Sequence, residues 1–129
     1  MLIQPNEVMG ALRPLSDAVY RSKGTIEDGY YHFCSAFFDP RFQDYLYDIV
    51  KTGLAVDNPR IQETTLTRYG ALAGDVMALS VSFFNGRREL PDLIRDIIAD
   101  LQVLEPLRQA IRREFSEHPP KFFTPPRQQ

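Results

Sequence analysis

The chain has 129 residues, 17 acidic against 15 basic for a formal charge of −2, and is 43% hydrophobic, with nine Phe, six Tyr and no Trp. That length and apolar share suit one domain around one core. The near-neutral charge excludes nucleic-acid binding by bulk electrostatics, which needs surplus cations to displace counterions from phosphate, and a single cysteine, Cys34, excludes an internal disulfide.

The first residues, Met1 to Glu7, carry no basic run followed by an apolar segment, so no secretory signal is expected, and with the lone thiol this points to a cytoplasmic protein. Val8, Leu12, Leu15 and Val19 recur at helical spacing and predict a first helix over Asn6 to Lys23. Pro14 kinks it or moves its start towards Arg13, and Gly24 ends it. Thr25 is placed as the N-cap of a second helix, with Glu27 and Asp28 in its first turn and Ile26, Tyr30, Phe33 and Phe37 along one face.

Asp39-Pro40 stops that helix and starts the next, whose face is Phe42, Tyr45, Leu46, Ile49 and Val50, with Gly53 as a left-handed C-terminal residue. Asn58-Pro59 repeats the device and opens a long helix to Phe84. Its apolar residues lie on more than one face, which predicts a central helix covered on several sides. Arg68 and Asp75 interrupt the apolar run, so it reads as a buried helix and no membrane span is expected.

Asn85-Gly86 is a stop, and Leu90, Ile94, Ile97, Leu101 and Leu104 form the stripe of the last helix, which Pro106 bends or breaks before Leu107, Ile111 and Phe115 continue it. Four of the ten prolines follow His118, which predicts an extended Pro-rich tail over residues 119–129. The expected fold class is all-α: a compact bundle of five or six helices over residues 1–118, followed by that tail.

Two surfaces stand out as candidate contacts. Eight of the fifteen aromatics fall between Tyr30 and Tyr47. Phe33, Phe37 and Phe42 read as core, whereas Tyr31, Phe38 and Tyr47 fall off the apolar stripes and are expected at the surface as partner-binding residues. The acidic neighbours Glu27, Asp28, Asp39, Asp44 and Asp48 argue against a base-stacking platform, so no DNA is expected. Phe122 and Phe123, set between two Pro-Pro pairs, are the second candidate contact.

Gly70, Ala73 and Gly74 give the long helix a stretch of small side chains, either for close helix packing inside the bundle or for a dimer seam. The segment Arg113-Glu114-Phe115-Ser116-Glu117-His118 resembles the Arg-polar-x3-His pattern of the HEPN ribonucleases. That resemblance implies a small helical dimer in which Arg113 and His118 cleave RNA without metal. The same basic residues also complement the dipole of their own helix end. A further stretch, Thr67 to Asp75 with Asn85 to Glu89, is similar to part of the phycobiliprotein pattern, but the chromophore-attaching cysteine is absent just upstream.

His32, Cys34 and His118 lack metal-ligand spacing, so no metal site and no cofactor are expected. The sequence thus favours a non-enzymatic protein-interaction module, an adaptor, assembly or regulatory subunit whose partner is another protein and which forms a homo-oligomer. The alternatives are the Arg113/His118 ribonuclease and a binder of a planar small molecule in the aromatic block.

Overall fold

The computed structural model describes residues 3–119, among which all regular secondary structure is helical and there is no strand. In chain order the segments are α1 (Pro5–Ala11), α2 (Arg13–Tyr20), α3 (Ile26–Phe37), α4 (Pro40–Ala55), α5 (Pro59–Phe84), α6 (Leu90–Gln102) and α7 (Leu104–Glu117). Counting the two broken pairs α1/α2 and α6/α7 as one helix each gives five.

Helix starts follow cap chemistry. The Thr25 hydroxyl accepts from the Asp28 amide at 3.1 Å, Asp39 Oδ1 accepts from the Arg41 amide at 2.8 Å, and Asn58 Oδ1 accepts from the Arg60 and Ile61 amides. Both predicted proline breaks occur, but upstream of the proline: Leu12 separates α1 from α2 and Val103 separates α6 from α7. Pro14 and Pro106 therefore sit in the first turn of α2 and α7, where a missing N–H leaves no intrahelical bond unmade. Gly24 terminates nothing, since α2 already ends at Tyr20 and Gly24 lies in the following loop at φ +83°.

The core contains the predicted stripes: Phe33, Phe42 and Tyr45, the α6 series Leu90, Ile94, Ile97 and Leu101, and Leu104 and Ile111 of α7. Helix α3 packs on α2, α4 lies between α5 and α7, and α6 lies against α5, α1 and α2. Close approach at two of these crossings needs glycine. A Cβ on Gly29 would overlap the Leu15 backbone, and one on Gly53 would overlap the Thr65 side chain. Gly53 is thus not a left-handed terminus as its sequence position suggested. It lies inside α4, which runs on to Ala55, and its missing side chain admits α5.

Two expectations for α5 are corrected. The helix packs against α4, α6 and α7 and is buried along Thr65, Leu72, Val76, Leu79 and Phe83, but among the described residues its Met77 side is open, so the cover expected of a central helix is incomplete. Gly70 and Gly74 do not pack inside the bundle either, because both are exposed and nothing lies within 4 Å of where their Cβ atoms would be.

Candidate functional site

The bare side of α5 forms an uncharged strip. At 3.6 residues per turn, Leu66, Tyr69, Gly70, Ala73, Gly74, Met77, Ser80, Val81 and Phe84 fall within an arc of about 140° and extend about 27 Å along the helix. None of these nine carries a charge. Met77 is 69% exposed and Phe84 70%, and Leu66, Tyr69 and Val81 are exposed as well.

Helices α3 and α4 widen the strip on one side. Tyr31, Phe38 and Tyr47 are 58%, 59% and 66% exposed, the placement their off-stripe spacing predicts. Phe38, Tyr69, Ala73 and Met77 share the walls of one groove of about 340 Å³, floored by Phe37, Leu46, Leu72 and Val76. Tyr47 and Tyr69 share the next groove along. At the far end Tyr31 meets Phe83 edge-on at 6.1 Å, and Phe83 meets Phe84 at 5.0 Å. The surface is therefore continuous from Phe84 to Tyr47.

It rests on a rigid base. Tyr30 stacks on Phe83 with centroids 4.0 Å apart and planes 8° from parallel, and its hydroxyl donates to Ser80 Oγ at 2.9 Å. Burial, more than any other influence, pushes the Tyr30 phenol above its usual range. Arg87, at φ +66°, ties off the end of α5 by donating from Nε to the Phe83 carbonyl, covering the Phe83 ring and pairing with Glu27 at 2.6 Å.

Polar clusters lie elsewhere and face inwards. Between α4 and α7 the fully buried Tyr45 donates to Glu105 Oε1 at 2.6 Å, while Gln109 and Arg108 donate to Glu105 Oε2. Burial pushes Glu105 up, but these donors and the Arg108 charge outweigh it and hold the carboxyl below its ordinary value. Tyr45 moves upward, first through burial and then through its bond to Glu105. Tyr45, Gln109 and Arg108 Nη1 are all engaged with Glu105, the pattern of a structural tie between helices, while Arg108 Nε is buried without a hydrogen-bond partner, 3.7 Å from Asp48 Oδ2.

Between α5 and α6 the Asp100 carboxyl lies beside Asp75, with its Oδ2 buried and without a partner. Burial first, then the bond and charge of Asp75 and the charge of Asp96, raise Asp100 to about 7 against the opposing pull of Arg68. A proton on Asp100 would let its buried carboxyl donate towards Asp75 and so relieve the orphaned oxygen.

Arg113 and His118 are both exposed, Arg113 on α7 and His118 at its C-cap, outside the helical conformation at φ −135° and ψ 73°. His32 is exposed and Cys34 is half-buried, its thiol pushed up by desolvation. Among the described residues no three His, Cys, Asp or Glu side chains are grouped to hold a metal, and no helix is long and apolar enough to cross a membrane. Phe122 and Phe123 lie outside the described residues.

The residues that periodicity missed are Leu66, Tyr69, Met77, Val81 and Phe84. The available signal was the apolar arc of α5 itself, wider than one neighbouring helix can cover, with glycines in its middle. The chain matches no protein-family model, no curated protein and no solved structure.

Proposed function

We propose that this chain is a non-enzymatic protein-interaction module, an adaptor, assembly or regulatory subunit that works through the aromatic face of α3, α4 and α5. The continuous exposed strip from Tyr47 to Phe84 carries this reading. A monomeric surface rarely keeps a contiguous apolar patch above a few hundred Å². At roughly 150–250 Å² per aromatic side chain, the five exposed rings present on the order of 600 Å² before the aliphatic residues are counted. Burying such a surface contributes about 25 cal/mol per Å², set against the entropic and desolvation costs of association.

The test is sedimentation of the protein in native-cell extract, wild type against the pair Met77→Glu with Phe84→Glu. Wild type is expected in a particle heavier than the 14.9 kDa chain, and the variant is expected to leave it with its helical circular dichroism unchanged. A wild-type chain sedimenting as a monomer in the extract overturns the proposal.

One observation favours a second reading. The groove of about 340 Å³ beside Phe38 and Tyr69 falls in the size range of small-ligand sites and is walled by aromatics, which suits a planar molecule. Such a ligand shows as an absorbance or mass that co-purifies with wild type and is lost in Phe38→Ala.

A further inference from the structure

Resting on that reading, we infer that the partner covering α5 is a second copy of this chain, its α5 crossing the first about a two-fold axis near Ala73. Charge is the first argument. A two-fold axis places the residues beside it against their own counterparts, so a face carrying charges of one sign near the axis repels itself, and a foreign partner is normally selected by charges that its surface answers. The α5 strip from Tyr69 to Phe84 brings no charge to the axis, since Asp75, the one charged residue in that stretch, is turned towards α6 beside Asp100, and the charges of the wider face, Asp44 and Lys51 beside Tyr47 and the Arg87–Glu27 pair beside Phe83, lie at its two ends.

Area is the second argument. A standard interface takes about 800 Å² from each partner. The exposed aromatics supply on the order of 600 Å², and Leu66, Met77 and Val81 bring the total to that requirement.

The third concerns distance between backbones. Gly70 and Gly74 stand on the exposed side with open space above them, and each weakens the helix by about 1 kcal/mol relative to alanine, with no compensating contact among the described residues. In a crossing at Ala73 both become the points where the partner backbone approaches, while Met77 and Tyr69 fill the flanks.

The test uses purified full-length chain. Sedimentation equilibrium at concentrations up to about 100 μM is expected to show twice the 14.9 kDa chain mass. Gly70→Ala with Gly74→Ala is expected to weaken the dimer at least tenfold while raising the melting temperature measured at concentrations where the chain is monomeric, a combination that a purely structural role does not produce. In a Cys34→Ser background, Ala73→Cys is expected to form disulfide-linked dimers on mild oxidation, and Gln102→Cys, on an exposed part of α6, is not. A monomer at all concentrations overturns the inference. If that monomer still enters a heavier particle in native extract through Met77 and Phe84, the strip is an interface for a foreign protein and only the identity of the occupant is wrong. Dimerisation lost on deleting residues 120–129, with Ala73→Cys failing to cross-link, assigns the contact to the tail and also overturns the inference.

Discussion

Gly53 of α4 lies directly against the side chain of Thr65 on α5, so close that a Cβ at residue 53 would overlap Oγ1 and Cγ2. Thr65 cannot give way: it is fully buried, its β-branched side chain is stiff on a helix, and its hydroxyl donates to the Ile61 carbonyl at 2.7 Å. Ile111 of α7 closes the same space. One missing methyl thus sets the distance between the helices that frame the aromatic face.

Gly53→Ala is accordingly expected to destabilise the protein by about 1–2 kcal/mol, the overpacking cost exceeding the gain of about 1 kcal/mol in helix propensity. Gly29→Ala, where the obstacle is the Leu15 backbone, is expected to cost more. Chemical denaturation of both beside Gly70→Ala, whose added methyl meets open space, checks the contrast.

Stability should carry an acid-side contribution from Asp100. Its folded pKa of about 7 lies above its ordinary value of 3.8, so between those limits the native state holds a proton that the unfolded chain has released. That contribution is complete below pH 4 and is lost as pH rises through 7. Asp100→Asn, which keeps a hydrogen-bond donor towards Asp75 and removes the charge, is expected to stabilise the protein above pH 7 by on the order of 1–2 kcal/mol and to flatten this part of the profile. Melting curves from pH 4 to 8 decide it.

Glu105 acts in the opposite sense. Its folded pKa is depressed, so its contribution is present above its unfolded value and is lost as pH falls through the folded one. Tyr45→Phe removes the 2.6 Å donor to Oε1. It is expected to cost about 1.5–3 kcal/mol at neutral pH, the range of a hydrogen bond to a charged group, and less in acid, where the carboxyl is neutral. The difference between denaturation midpoints at pH 7 and pH 3 reads it out.

Met77→Glu with Phe84→Glu is expected to change stability of the isolated chain by no more than about 0.5 kcal/mol per site, because both residues are more than two-thirds exposed. Binding of a hydrophobic dye such as ANS is expected to fall, since the surface that attracts it has gained two charges. Unchanged dye binding would place the accessible apolar surface elsewhere.

What the sequence determined by itself is local. Thr25, Asp39 and Asn58 announce helix starts because each cap is made within three residues of itself, and the α6 stripe is legible because its spacing alone decides which side is apolar. The off-stripe positions of Tyr31, Phe38 and Tyr47 belong to the same class of information. Even the proline breaks were readable to within three residues, displaced only because a first-turn proline costs its helix nothing.

What only the tertiary structure decided is which helix comes to which face. Periodicity reports that α5 is apolar over most of its circumference, but nothing local distinguishes the Leu72 side, which α4 and α6 cover, from the Met77 side, which no helix among the described residues covers. Nor does a glycine in a helix announce whether a neighbour approaches it. Gly29 and Gly53 are crossing points while Gly70 and Gly74 face open space, because the contact that gives a glycine its role is made by residues distant in the chain.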